Sequence, residues 1–204
     1  GQFCNLTEVV VRSGDSDVDI VEKIRLATIL GTFQASLTNI RKLRAKWLHN
    51  TEEEALLGVS LTGIMDNSLM NKPTDKLEDV LETCKLMSIH TNKIWSKKLG
   101  INQATATTAI KPSGTVSQLV DSASGIHARH NPDVMKPDSV EVFTFPMKAP
   151  KGAILRDDKT AIQQLELWLM YQRNYCEHKP SVTVSVKEHE WMEVGAWVYE
   201  HFDE

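Results

Sequence analysis

The 204-residue sequence has few cysteines, no long apolar run and no excess of positive charge. Cys4, Cys84 and Cys176 are odd in number and far apart, which excludes a disulfide framework and favours a reducing compartment, the cytoplasm. The apolar runs are only a few residues long, whereas a membrane-spanning helix needs about 20, so no membrane partner is expected. A formal net charge of −4 provides no basic field for nucleic acid.

The remaining composition is that of an ordinary globular protein. Hydrophobic residues make up 41% of the chain and charged residues 25%, which argues against disorder and coiled coils. The length suits one domain or two small ones. The sequence begins at Gly1 without an initiator methionine, a basic region or a signal-peptide core, so we interpret it as a processed product or a fragment.

Short β-branched runs alternate along the chain with longer stretches in which apolar residues recur at helical spacing. Strands are predicted at 6–11, 58–64, 105–110, 142–147 and 181–186. Helices are predicted at 18–37, 40–48, 51–57, 73–99, 157–176 and 188–202. Because helices separate most of the strands, the sequence predicts an α/β fold with a mostly parallel sheet or barrel.

Several helix ends are predicted from capping residues. Thr51, with Glu54 three residues later, matches a capping box that begins a short helix, and Gly58 would end it. Gly100 is expected to end the long helix, because glycine accepts the left-handed conformation of a helix C-terminus. The two acidic residues at 157–158 are predicted to cap the helix that follows them.

The strongest local signal for chemistry is the run from Thr107 to Val116. A predicted strand passes through Pro112 and Gly114 into a segment that can begin a helix. Backbone N–H groups at such a junction lack partners and the helix dipole adds positive potential, so the loop suits a phosphate group. The hydroxyl donors belong to Ser113, Thr115 and Ser117. It is not a Walker loop, and a plain turn with a capping serine explains the same residues.

The run from Ser124 to His130 holds two histidines and an arginine within four residues. Such a group could bind an anion or a metal ion. A carboxylate or cysteine ligand set at metal spacing is missing, which argues against a metal. Histidines that simply hydrogen-bond the backbone explain His127 and His130 equally well.

The three cysteines differ in their sequence surroundings. Cys84 lies among apolar residues of a predicted helix and Cys176 lies near a helix end, so both are predicted to be core residues. Cys4 stands at the head of the first predicted strand. It is either a small apolar filler or a functional thiol, which would need exposure and a partner thiol.

Five longer runs are more specific than any single residue in them. They are CNLTEV from Cys4, LGVSLTGIMD from Leu57, KPSGTVSQL from Lys111, SGIH from Ser124 and the tail that begins at Phe145. The similarity that they indicate extends over nearly the whole chain. They resemble the catalytic subunit of ribonucleotide reductases, above all the adenosylcobalamin-dependent members, class II.

The resemblance implies a ten-stranded α/β barrel around a finger loop whose cysteine becomes a thiyl radical. That radical removes the ribose 3′ hydrogen of a ribonucleoside di- or triphosphate, and a cysteine pair then reduces the substrate and becomes a disulfide. It further implies adenosylcobalamin as cofactor and thioredoxin or a similar dithiol as reductant. Cys4 corresponds to one member of the pair. The residues that correspond to the substrate-phosphate loop are Pro112, Ser113, Gly114, Thr115 and Val116.

Residues 1–204 are therefore predicted to be a partial barrel domain that is inactive without the rest of the reductase polypeptide. In the family, the radical cysteine and the disulfide partner of Cys4 precede the Cys-Asn-Leu run. A segment also appears deleted near 131–140, and the family's last strands lie beyond Glu204. Two alternatives stay open: a large-subunit fragment of the metal-cofactor-dependent class I, and an inactive nucleotide-binding or structural remnant.

Overall fold

The computed structural model describes residues 1–40, 42–129 and 149–204, which contain two strands and six α-helices. The strands are β1 (Asn5–Val10) and β2 (Leu57–Thr62). The helices are α1 (Asp17–Ala35), α2 (Ala45–Glu54), α3 (Asp75–Leu99), α4 (Thr115–Leu119), α5 (Ala161–Asn174) and α6 (Trp191–Glu200). His130, the predicted deletion and the predicted strand at 142–147 lie outside the described residues.

The two strands form a parallel sheet, with Asn5 opposite Leu57 and Val10 opposite Thr62. Every residue of β2 is buried, as expected for a parallel strand that is covered on both faces. The predicted α/β class is confirmed at this level, as a mixed fold with a small parallel sheet. The described ranges contain two strands and not ten, so the barrel stays a prediction.

One further segment runs beside β2, and a second runs beside that segment, but neither becomes a regular strand. The amide of Val59 donates to the carbonyl oxygen of Thr107 at 2.8 Å, and the amide of Ser181 donates to that of Ile110 at 3.0 Å. Three backbone hydrogen bonds join β2 to residues 106–109, and they form one isolated bridge, between Val59 and Thr108, instead of a continuous ladder. The strands predicted at 105–110 and 181–186 are therefore wrong as regular strands.

Side chains explain this irregularity, because they take hydrogen bonds that a regular ladder would need. The amide of Thr107 donates to the Glu177 carboxylate at 2.6 Å, and the amide of Lys111 donates to the Ser60 hydroxyl at 3.1 Å. Polar side chains that bind nearby backbone groups compete with secondary structure in this way. The segment from 105 to 111 is consequently held in place by specific polar contacts.

Helix α1 covers one face of the sheet and packs against α3, and side chains of both helices join the core. Helix α1 begins at the capping box of Ser16 and Asp19. Helix α3 runs from the cap of Thr74 to Gly100, which ends it as the sequence predicted. The largest fully buried side chains are Tyr171, Tyr175, Ile20, Ile24, Leu57, Leu61, Ile64, Met65, Met70, Leu77, Leu81 and Ile110. None of the helices in the described ranges is long and apolar enough to cross a membrane.

Two predicted helix starts are wrong. Thr51 lies inside α2, near its end, and α2 stops because Ala55 takes the left-handed conformation with φ of 43°. The helix α5 begins after Thr160, whose side chain forms a capping box with Gln163. The acidic residues at 157–158 belong to a short 3₁₀ turn before it. Thr160 satisfies the first free amides of α5, whereas α2 begins after Arg44 without a side-chain cap.

The face of the sheet opposite α1 carries the candidate functional residues. Successive side chains of a strand point to opposite faces, so Val9, Val59 and Leu61 enter the core and their neighbours point away from it. We call that second side the polar face. Its residues are Cys4, Leu6, Glu8, Gly58, Ser60 and Thr62.

Candidate functional site on the polar face

The polar face has a thiol at one end and an anchored loop at the other. Cys4 immediately precedes β1, so its thiol lies at the end of the sheet where the strands begin. Thr62 is the last residue of β2, and its hydroxyl lies 2.7 Å from that of Ser113. Two residues that the sequence predicted as functional, Cys4 and Ser113, therefore belong to the same face of one sheet.

Cys4 is exposed, whereas Cys84 and Cys176 are buried in the core, as predicted. Its sulfur lies over Gly58, where an added Cβ would approach it to 3.1 Å. Burial of the sulfur raises the pKa of the Cys4 thiol, and the nearby positive charge of Lys111 offsets part of this rise. Cys4 is thus a neutral thiol at pH 7 that reagents can reach.

We expect iodoacetamide to alkylate Cys4 faster than Cys84 in the folded protein. Cys84 is fully buried, and burial raises the pKa of its thiol to about 12, so it offers neither access nor thiolate. Timed labelling followed by peptide mass spectrometry measures both rates, and denatured protein, in which the rates should converge, is the control. Faster labelling of Cys84 would contradict the predicted exposure of Cys4.

Glu8 is the carboxyl group of the polar face. It pairs with Ser60 across the two strands, and the Ser60 hydroxyl donates to its Oε1 at 3.3 Å. The same hydroxyl accepts the amide of Lys111. Burial raises the pKa of Glu8 to about 7, and the hydrogen bond from Ser60 offsets only part of that rise. Sequence reasoning missed Glu8 because nothing in its local pattern shows what it faces.

Thr62 connects β2 to two loops through one buried hydroxyl. This hydroxyl donates to the carbonyl oxygen of Ala123 at 2.9 Å and accepts the amide of Gly125 at 2.9 Å. Ser113 adds a third contact at 2.7 Å, and its own amide donates to the Ser124 hydroxyl at 3.2 Å. The start of the predicted phosphate loop is therefore fixed against the end of β2.

The rest of the predicted phosphate loop is open to solvent, because Pro112, Gly114, Thr115 and Val116 are exposed. In the described part of the chain, the amides of Gly114 and Thr115 donate to no acceptor. The Thr115 hydroxyl has no partner there either. Two adjacent amides and a hydroxyl are thus available to an anionic ligand.

Two parts of the sequence argument for this loop need correction. The helix that follows, α4, has only five residues, so its dipole adds little potential. The hydroxyls of Ser113 and Ser117 are already engaged, the latter with the carbonyl oxygen of Gly114 at 2.8 Å. Of the three predicted hydroxyl donors, only that of Thr115 is available.

A buried ion pair holds the loop from 121 to 129 against the end of β2. The Asp66 carboxylate accepts Nε and Nη2 of Arg129 at 2.8 and 2.9 Å, and the amide of Ala123 at 2.9 Å. Asp121 accepts Nη1 of Arg129 at 2.6 Å. These bonds raise the pKa of Arg129, and the hydrogen bond to Asp66 has the largest effect. Arg129 is committed to this structural role, and sequence reasoning missed its partner Asp66.

His127 is a backbone-binding histidine in this structure. Its Nδ1 donates to the carbonyl oxygen of Ser124 at 3.0 Å, and its Nε2 accepts the amide of Thr183 at 2.8 Å. That pattern assigns the neutral ring with its proton on Nδ1. The residues that the structure describes contain no group of three or more side chains suited to a metal ion.

Comparison with known proteins identifies the fold. No family model matches the chain, and a search of curated proteins found no match. Among solved structures, it is similar to the crystal structure of a B12-dependent (class II) ribonucleotide reductase, with a TM-score of 0.75 and 16% sequence identity. The match covers 97% of this chain and 35% of that protein, so the chain spans about a third of its length. The chain therefore shares the fold of part of that enzyme.

Proposed function

We propose that this chain is part of a ribonucleotide reductase that reduces a ribonucleoside di- or triphosphate. The observation that carries the proposal is the polar face itself. An accessible thiol and an anchored loop with free amides share one face, in a fold similar to part of a class II reductase. The sheet would then be part of the ten-stranded barrel of that family.

In this proposal, Cys4 is one of two thiols that reduce the substrate after a thiyl radical has removed the ribose 3′ hydrogen. The C2′–OH bond breaks and its oxygen leaves as water. Two thiols supply the two electrons and two hydrogens, and they become a disulfide. A thioredoxin-like dithiol then restores both thiols. The raised pKa of Cys4 suits this role, because the step needs a thiol that still carries its hydrogen.

The second part of the proposal is that the loop Pro112–Val116 binds the substrate phosphates. Its free amides lie on Gly114 and Thr115, and phosphate oxygens are strong acceptors for backbone N–H groups. The anchoring of Ser113 to Thr62 keeps these amides in a fixed position, which lowers the entropy cost of binding. Lys111, directly before the loop, adds a positive charge.

Adenosylcobalamin is the cofactor that the B12 dependence of the structural neighbour favours. The described residues carry a groove of about 500 Å³ between α1 and α3 and a cleft of about 50 Å³ beside Thr160. Neither is large enough to enclose a corrin macrocycle, and neither is lined by Cys4. These residues do not form its site, and the proposal places the cofactor against other parts of the polypeptide.

A charge-insertion experiment tests the phosphate loop. We expect Thr115→Glu to weaken binding of inorganic triphosphate at least tenfold, because a carboxylate beside the free amides repels an anion. Thr115 is exposed at the first position of α4, where an acidic residue is compatible with the helix. Isothermal titration calorimetry on the 204-residue chain measures the affinity.

The matched control is Gln103→Glu. It makes the same change of charge at an exposed position that precedes the loop Pro112–Val116 in the sequence. It should leave the triphosphate affinity within about twofold of the wild type. Gln103 lies 12 positions before Thr115, outside the proposed loop, and salt screens the interaction between exposed charges. An equal loss of triphosphate affinity in both variants would overturn the proposed phosphate loop. Absence of triphosphate binding by the wild type would also overturn it.

A further inference from the structure

Glu8 occupies a middle position on the polar face, between the thiol and the anchored loop. Along β1 it is four residues beyond Cys4 and two residues before Val10, the partner of Thr62. A strand rises about 3.3 Å per residue, so Glu8 lies roughly 7 Å along the sheet from the pair that anchors Ser113. Glu8 therefore lies near the anchored start of the loop, on the same face of the sheet.

The hydrogen bonds around Glu8 leave part of its carboxyl group available. Ser60 has one hydroxyl proton and donates it to Oε1, while Oε2 has no partner among the described residues. Glu8 also has no ion pair there. A half-buried carboxyl without a counter-ion is costly to keep, which points to a functional role.

The surrounding titratable groups do not neutralise Glu8. Those on neighbouring segments include Cys4, Lys111, Tyr175, Glu177 and His178, whose Nε2 lies 3.2 Å from the carbonyl oxygen of Leu57. The Tyr175 hydroxyl donates to the carbonyl oxygen of Val59, and the Glu177 carboxylate is bound by Thr107. The positive charge of Lys111 acts on Cys4, and burial is the main influence on Glu8.

We propose that Glu8 is a substrate-contact residue whose carboxyl group hydrogen-bonds a sugar hydroxyl of the nucleotide held by the loop Pro112–Val116. The inference rests on the proposed nucleotide site and adds the sugar contact to it. In this contact, Oε2 of Glu8 accepts a hydrogen bond from the sugar hydroxyl, while the Ser60 hydroxyl holds Oε1 in place. A ligand that lacks the sugar hydroxyls loses this bond and keeps its phosphate contacts.

Three ligands test the contact: CTP, 2′,3′-dideoxy-CTP, which lacks both sugar hydroxyls, and inorganic triphosphate. We expect the wild-type chain to bind CTP about tenfold more tightly than the dideoxy analogue, the usual effect of a hydrogen bond to a charged group. Glu8→Ala should abolish this preference and leave the triphosphate affinity unchanged. Glu82→Gln, an exposed carboxyl on α3, is the control and should keep the preference.

The pH dependence gives a readout that a structural role would not change. The ionised carboxylate accepts a hydroxyl more strongly than the neutral acid does. Because the pKa of Glu8 is about 7, the preference for CTP over its dideoxy analogue should increase as the pH rises from 6 to 8. The ratio cancels the effect of pH on the shared triphosphate group. Glu8→Gln, which retains the shape of the side chain, should show a flat profile.

The failures of the two proposals can be told apart. If the wild type binds triphosphate but does not distinguish CTP from its dideoxy analogue, the Glu8 contact is overturned and the phosphate loop stands. A preference that persists in Glu8→Ala and Glu8→Gln also overturns the contact. If the wild type binds none of the three ligands, the nucleotide site itself is overturned.

Discussion

Replacing Asp66 by alanine is expected to destabilise the protein by about 3 kcal/mol, since removing one partner of a buried ion pair leaves the other uncompensated. Asp66 is only 3% exposed and accepts three hydrogen bonds, two from Arg129 and one from the amide of Ala123. Without it the loop from 121 to 129 loses these three bonds and keeps its contacts with Thr62 and Gly63. Urea denaturation measures the loss of unfolding free energy.

The same variant should also weaken triphosphate binding, because Ser124 of that loop holds the amide of Ser113. Asp121→Asn is the matched control. Asp121 binds the same guanidinium but is half exposed, and asparagine tolerates its positive φ of 47°. We expect it to cost less than about 1 kcal/mol. Equal losses of unfolding free energy for the two variants would contradict the central role of Asp66.

Replacing Gly63 by alanine is expected to have a similarly large effect on stability. Gly63 follows β2 with φ of 81°, which costs a residue with a side chain about 1–2 kcal/mol. An added Cβ would also lie 2.2 Å from the carbonyl oxygen of Val11, so the backbone must move, at a further cost of about 1–3 kcal/mol. Thermal and urea unfolding of the variant measure the sum.

Gly100→Ala separates the two causes of this loss. Gly100 ends α3 with φ of 69°, and an added Cβ there meets nothing within 4 Å. This variant therefore carries the conformational cost alone, about 1 kcal/mol. If Gly63→Ala were no more destabilising than Gly100→Ala, the close approach of Gly63 to Val11 would not restrict this position.

Local chemistry predicted the elements whose ends are set by local contacts. The helix α3 begins at Thr74, whose hydroxyl accepts the amide of Leu77, and it ends at Gly100. Both signals lie within a few residues of the ends they define. The strand β1 was also predicted within one residue at each end, because β-branched residues favour an extended backbone.

Prediction failed where distant groups compete for the same residues. Thr51 matches a helix start, yet α2 already includes it, and its hydroxyl accepts the amide of Phe3 at 3.4 Å. The segment after Thr105 has strand-forming residues, but Glu177, 70 positions from Thr107, takes an amide that a strand would need. Neither competitor can be recognised from the residues around it.

The candidate site also combines residues that local sequence predicted with contacts that depend on distant residues. Sequence runs pointed to Cys4 and to the loop Pro112–Val116, because thiol chemistry and phosphate binding depend on residue types that can be recognised in a run. They could not show that the Ser113 hydroxyl is occupied by Thr62, 51 positions earlier. The roles of Asp66 and Glu8 also depend on neighbours that only folding brings near.

The sequence by itself determined β1, β2, the long helix α3 with its end at Gly100 and the burial of Cys84 and Cys176. These follow from propensities and periodicities that act over a few residues. The tertiary structure alone decided which polar groups are satisfied and which are free, because burial and long-range hydrogen bonds set that balance. Within the described part of the chain, it thereby placed an accessible thiol, a carboxyl group without an ion pair and the anchor of a loop with two free amides at one face of the sheet.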